Sequence, residues 1–313
     1  MTLSQDTLLC PVCQSTDTFR LGAIAPSNLF AGTILDFELD GGDLIKCKNC
    51  YLVFRYPRPS KQDLDKLYES GNIDNWAIPG EQRTDWSLVK EWLGSQIKIQ
   101  KVLDIGCFDG RFLEFLGGNY QRLGLEIHQE AARRACERGI DVIGHDFEQM
   151  SSYKANADLA VAIDVIEHTL DPVAFLEAVS DNVREGGFIA LTTGNTDSFT
   201  WRLMGGQYWY CHIAEHVSFI NPLWIGQIAP KLGLEVQSLQ LFSHDGDAAS
   251  LKQKLKEAVA NLTLRFFPKL FGYLRANGFG GIDLKRYPGM ALSPPYWMTA
   301  KDHLFVVFKK NIR

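Results

Sequence analysis

Short apolar runs, each ending in an acid or a glycine, mark the middle of the chain. Lys101-Val102-Leu103-Asp104-Ile105 is the first, and Leu123-Gly124-Leu125-Glu126 the second. Val142-Ile143-Gly144-His145-Asp146, Asp158 to Asp164 and Phe188 to Thr193 follow. Unbroken apolar runs of this length predict strands covered on both faces, as in a parallel sheet. Helical stretches are expected between them, at 110–118 and from Asp171-Pro172 to about Asn182. Farther on, Asn221 can cap a helix Pro222–Leu232 that has proline at its first position. Leu234–Leu241 reads as a sixth strand, and His303–Phe308 as a seventh that hairpins back on it. The expected fold is α/β, a Rossmann-like doubly wound sheet of seven strands with the last antiparallel, its ligands at the carboxyl ends of the strands.

The turn after the first strand carries the most chemistry. Gly106 and Gly110 allow positive φ and close approach of backbone to a ligand. The helix that starts there offers free N–H groups to a carboxylate. Glu126 lies at the spacing where a carboxylate meets ribose hydroxyls in doubly wound folds. A dinucleotide fingerprint requires glycines at the first, third and sixth positions. Counted from Gly106, Phe108 and Arg111 occupy the third and sixth, so a pyrophosphate is not expected there.

Taken together, Lys101–Leu113, Glu126, Asp146 and Asp164-Val165-Ile166-Glu167-His168 resemble the class I S-adenosylmethionine-dependent methyltransferases, including the ubiquinone-pathway O-methyltransferases. The resemblance covers roughly 99–241 and the last ten residues. It implies cofactor contacts from Asp104, Gly106, Cys107, Phe108, Gly110, Glu126, Ile127, Asp146, Phe147, Asp164 and Val165. Phe108 stands where glycine is usual in the family. The preceding segment is expected to add a residue to that site, with Tyr68 and Trp76 the candidates.

Cys10-Pro11-Val12-Cys13 and Cys47-Lys48-Asn49-Cys50 are two Cys-x-x-Cys knuckles. Cys10, Cys13, Cys47 and Cys50 suit one tetrahedral Zn²⁺ with a closed coordination shell, which makes the metal structural. No signal-peptide pattern precedes them, so thiols in a reducing, cytoplasmic setting are favoured over disulfides. Gly41-Gly42-Asp43 is expected to turn a hairpin between the knuckles. Cys136 is expected to pack inside a helix, and Cys107 to sit beside the cofactor without reacting. This head and the Leu52–Ser60 segment after it look like those of bacterial methyltransferases of sugar and polysaccharide pathways.

The expected organisation is a zinc-binding module at 1–59, a helical linker at 60–98, the core at 99–241, a helical insertion at 242–300 and the last core strand at 301–313. The linker is read as two helices, Lys61–Glu69 and Gln82–Gly94, with Trp86 and Trp92 as packing residues. Within the insertion, Ala248–Leu264 reads as one helix. Residues 264–275 are apolar with three positive charges, which suits a lid or an interfacial segment. Past the fourth strand, His168 and Glu167 face the expected acceptor, and His216 follows in His212-Ile213-Ala214-Glu215-His216. His168 or His216 can act as general base. The resemblance also offers a second scheme, in which Asp164, Glu167, His168 and His216 hold Mg²⁺ or Mn²⁺ for O-methylation of a quinone, lipid-linked or RNA hydroxyl. Glu167-His168 that merely orients the next helix is the plain structural alternative.

Composition narrows the partners. At 46% hydrophobic and 22% charged, the chain has globular composition. A net charge of −5 argues against nucleic acid. No apolar run reaches the length of a membrane span. The expectation is a methyltransferase acting on a small hydroxylated acceptor such as a sugar or glycan precursor, a sugar nucleotide or a lipid-linked molecule. Oligomers are compatible with it. A non-catalytic scaffold built on the same fold is the alternative of a different class.

Overall fold

The computed structural model describes residues 8–31, 33–69, 83–96, 98–147, 149–244, 249–278 and 293–312. Five strands come first: β1 Thr18–Ala23, β2 Ser27–Phe30, β3 Thr33–Leu39, β4 Asp43–Cys47 and β5 Val53–Tyr56. Helices α1 Lys61–Glu69 and α2 Thr84–Gly94 lead to an alternating stretch. It runs β6 Lys101–Ile105, α3 Arg111–Leu116, β7 Gln121–Leu125, α4 Gln129–Glu137, β8 Asp141–Gly144, α5 Met150–Tyr153, β9 Ala157–Ile163, α6 Pro172–Asp181 and β10 Val183–Gly194. Then come α7 Phe199–Met204, α8 Trp209–His212, β11 Ser218–Phe219, α9 Pro222–Ile228 and β12 Leu234–Phe242. Helices α10 Leu251–Phe266 and α11 Pro268–Ala276 precede the last strand, β13 His303–Lys310.

Seven strands form one sheet in the order β12-β13-β10-β9-β6-β7-β8. Strands β6 to β10 are parallel, and β13 runs antiparallel to both β10 and β12. Val102, Leu103 and Ile105 are fully buried because β6 lies at the centre of the sheet with helices on both faces. The chain leaves β6 toward β7 and β8, then returns to place β9 on the other side. That reversal opens a crevice at the carboxyl ends of β6 and β9, where doubly wound folds bind ligands.

The head departs from one expectation. Gly41-Gly42-Asp43 does not turn a hairpin: β3 pairs with β2, whereas β4 pairs with β1 and β5. Backbone crowding gives the reason. A Cβ on Gly41 would lie 2.0 Å from the Ile24 carbonyl, and one on Gly42 would lie 2.4 Å from that of Tyr56. The two glycines let the chain cross between neighbouring strands. Cys136 also departs, being exposed on α4. Trp86 packs on Phe112 and Phe115, and Trp92 on Phe188, so both cover the core as expected. Trp76 lies outside the described residues.

Strand β11 extends the head's sheet, in the order β1-β4-β5-β11. Cys10, Cys47, Cys50, Leu52 and Phe54 share a buried cluster with Ile220, Trp224 and Ile225 around α9. Arg55 of β5 fastens this junction. Its guanidinium donates to the carbonyls of Gly41 (2.7 Å), Cys211 (2.6 Å), Ile213 (3.1 Å) and His216 (3.2 Å). Arg58 adds bonds to the carbonyls of Val217 and Leu170. Replacing Arg55 by Met leaves buried carbonyls without donors, which is expected to cost about 3 kcal/mol in urea denaturation, even after the relief from burying a charge. A loss below about 1 kcal/mol would show that the junction does not depend on this side chain.

Candidate active site

A cleft of about 1950 Å³ opens over the carboxyl ends of the central strands. Asp104, Gly106, Cys107, Phe108, Glu126 and Ile127 line one end of it, with Asp146 and Phe147 beside them. Asp164, Val165, His168, Glu215, His216, Tyr68 and Arg83 line the remainder. The structure therefore gathers nearly all of the expected contact residues into a single cavity.

The turn after β6 is left-handed at three places: Gly106 (φ 75°), Phe108 (φ 48°) and Gly110 (φ 81°). Phe108 keeps the geometry that glycine would provide, although a bulky side chain in that region is strained. Glu126 holds it there. The Phe108 N–H donates to one carboxylate oxygen of Glu126 at 2.9 Å, and the His128 N–H to the other at 2.8 Å. This acid therefore ties the first turn to the second. Gly110 caps α3 from behind the cleft, where a Cβ would lie 2.8 Å from the Ile140 side chain. It is absent from the cavity lining. Cys107 packs inward, and a Cβ on Gly124 would meet its sulfur at 2.5 Å.

Burial sets the electrostatics. Asp104 is pushed well above the usual carboxylate range by desolvation and by neighbouring Glu126. Glu126 is raised by burial against the pull of the His128 and Phe108 N–H bonds. Asp164 is left-handed (φ 52°) and accepts a bond from Arg83, which also pairs with buried Asp85. Burial opposes its ionisation, yet Arg83 and the histidines at 303 and 244 hold it below its ordinary value. Its second oxygen, Oδ1, is buried without a hydrogen-bond partner.

Two perpendicular imidazoles line the same cleft. The rings of His168 and His216 stand 4.8 Å apart. His216 Nδ1 lies 3.1 Å from the Tyr210 carbonyl. A carbonyl only accepts, so Nδ1 carries the proton and Nε2 the lone pair in the neutral ring. His168 Nδ1 bonds the Tyr68 hydroxyl at 2.9 Å, which brings the linker into the site. Desolvation pushes His168 down to about 4 and His216 well below its ordinary value, His168 adding to the latter. Glu167 is fully buried and is pushed up to about 8 by desolvation and by Asp164. Its oxygens accept the hydroxyls of Tyr210 and, at 2.8 Å, Thr193.

Two groups of side chains have metal-ligating proximity among the described residues. Donor atoms of Glu167, His168 and His216 lie within 4.8 Å of one another, and Asp164 is not among them. Arg83 engages Asp164 instead. The four knuckle cysteines form the second group. Cys10 and Cys50 have sulfurs 3.5 Å apart, as do Cys13 and Cys47, and none is in a disulfide.

Arg83 was not visible as a site residue in sequence, because an isolated arginine before a helix carries no pattern. The same is true of the buried chain of Asp302, His303 and His244 that faces Asp164. His303 Nδ1 lies 2.9 Å from Asp302, and its Nε2 lies 3.0 Å from His244 Nε2.

Comparison with known proteins gives a family match. A family described as a methyltransferase domain matches residues 80–239, just over half of the chain. Ubiquinone biosynthesis O-methyltransferase from Thiobacillus denitrificans is 26% identical over 157 residues, 45% of this chain and 66% of that protein. The Methylocella silvestris protein of the same name is 31% identical over 121 residues, 34% of this chain and 46% of that protein. The chain thus spans less than two thirds of the length of these relatives. A solved S-adenosylmethionine-dependent methyltransferase from Archaeoglobus fulgidus superposes with a TM-score of 0.45 at 16% identity, covering 80% of this chain and 100% of that one. One from Mesorhizobium loti gives 0.44 at 13%, covering 72% and 100%. With its central strand order, its β6 turn and more than half its length matched, the chain belongs to the methyltransferase-domain family of class I S-adenosylmethionine-dependent enzymes.

Proposed function

We propose that the chain binds S-adenosylmethionine at the Asp104–Glu126–Asp146 end of the cleft and methylates a hydroxyl of a small acceptor at the His168–His216 end. The observation that carries this reading is the left-handed Gly106–Phe108 turn pinned by Glu126, with two imidazoles on the opposite wall of the same cavity. The unpartnered Oδ1 of Asp164 and the acids on the first two strand ends suit a ligand with hydroxyls and a cationic centre. The cofactor supplies a methyl group on a sulfonium. Glu126 and Asp104 are assigned to its ribose side, Asp146 and Phe147 to its adenine.

His216 is assigned as the base. Burial keeps it neutral, and the Tyr210 carbonyl leaves Nε2 as its acceptor atom, so the acceptor's hydroxyl proton passes to Nε2. Tyr68 orients His168, and Tyr210 and Thr193 hold Glu167. Glu167 has both oxygens engaged and Asp164 is drawn away by Arg83, which favours a plain base over a divalent cation. The zinc-like head supports a sugar or glycan precursor as acceptor. The relatives named for ubiquinone biosynthesis support a ring hydroxyl. A hydroxyl is common to both.

The four knuckle sulfurs are assigned to one structural Zn²⁺. Tetrahedral Zn–S bonds of about 2.3 Å set sulfurs about 3.8 Å apart, close to the spacing of the two pairs. The ion would fasten the head that supports β11 and the His216 loop.

Three outcomes are expected. Glu126→Ala should weaken S-adenosylmethionine binding in calorimetry by about 1.5–3 kcal/mol; unchanged affinity would remove this strand end from the cofactor site, and no heat from the native chain would favour a scaffold. His216→Ala should retain cofactor affinity while turnover falls about 10²–10⁴-fold. Turnover lost to a chelator and restored by Mg²⁺ would instead assign the metal-activated scheme. Metal analysis should find one zinc per chain, and Cys47→Ser should lose it together with several kcal/mol of stability; a metal-free native chain would overturn the zinc assignment.

A further inference from the structure

Helix α10 is apolar on two sides. Its inner side buries Ala260 and Leu264, the latter in the cluster with Trp201 and Tyr208. Its outer side carries Leu251, Leu255, Val259, Leu262 and Phe266, which are 73%, 57%, 57%, 37% and 59% exposed. At about 100° per residue these five fall within an arc of about 80°. The stripe is therefore one continuous ridge, not scattered surface residues. Phe267 at the break, and Leu270 and Tyr273 on α11, are exposed as well.

The charges around it are of one sign. Lys252 and Lys256 flank one edge of the α10 stripe, and Lys254 and Arg265 the other, with Lys269 beyond the break; all five are exposed. Glu257, the one acid in the described stretch 249–278, is turned inward and accepts bonds from the Thr299 N–H and hydroxyl. This stretch is cationic on a chain whose net charge is −5. An apolar ridge between two rows of cations is the pattern of a helix lying in a lipid headgroup layer. A second copy would set like charges face to face, and protein interfaces are depleted in lysine.

We propose that α10 and α11 dock this chain on an anionic bilayer surface, the apolar ridge entering the acyl boundary and the flanking lysines meeting lipid phosphates. The inference does not rest on the methyl-transfer reading.

Cosedimentation tests it with vesicles of phosphatidylcholine alone and with equal parts of phosphatidylglycerol added. The chain should bind the anionic vesicles and much less to the neutral ones, with binding weakened by salt. Leu255→Ser combined with Phe266→Ser should lower binding about tenfold or more. Lys252→Glu combined with Lys256→Glu should do so as well. All four positions are exposed, so thermal unfolding and S-adenosylmethionine calorimetry should stay at native values. Those controls separate failure of this inference from failure of the cofactor assignment. No binding to anionic vesicles, or equal binding to both kinds, would overturn it. So would a dimer in light scattering that the serine pair dissolves, because the ridge would then be a contact between chains.

Discussion

The buried guanidinium of Arg55 is the constraint on which the acceptor half of the molecule depends. It carries a charge in a place where burial disfavours it, and no acid among the described residues bonds it directly. Four carbonyls converge on it instead, one from Gly41 and three from Cys211, Ile213 and His216. A planar donor of fixed shape dictates where those carbonyls stand, which a point charge such as lysine does not. Three of the four belong to the segment that presents His216. The position of that imidazole thus follows from a residue of the head's strand β5.

The central sheet was legible because its inner parallel strands are covered on both faces, so their apolar runs are long and end in an acid or a glycine. The turn after β6 was legible for a related reason: Gly106 and Glu126 are separated by the length of one helix and one strand. The head was less so. Its strands alternate weakly, and the crossing at Gly41-Gly42 depends on contacts with Ile24 and Tyr56 that no local pattern announces. Arg83 and the His303–Asp302 pair were invisible for the same reason. Each is an ordinary residue until the fold sets it beside Asp164. Gly110 shows the reverse error, a motif glycine whose work is packing behind the loop and not lining the cleft.

The electrostatic character of the inner wall of the cleft follows from burial. Glu167 and Glu215 are pushed up to about 8 and about 7 by burial, while His168 is pushed down to about 4. Near neutral pH such a wall tends toward uncharged forms. Arg83 and Asp164 form a paired charge at the point where β9 ends. Farther out, acids outnumber bases in the lining, Asp146, Asp171 and Glu130 among them, and such a lining suits a cationic guest.

Strand β11 is only two residues long, yet it belongs to the head's sheet and not to the central one. On the proposed role of His216 as base, acceptor preference would have two places of origin. One lineage of changes can reshape the cleft lining itself. Another can act on the strand partners Val53 and Phe54, which pair with Phe219 and Ser218, and shift the His216 loop without altering any atom that an acceptor touches. A graft of the head from one relative onto the core of another would then change selectivity as well as stability, and the two halves would have to diverge together.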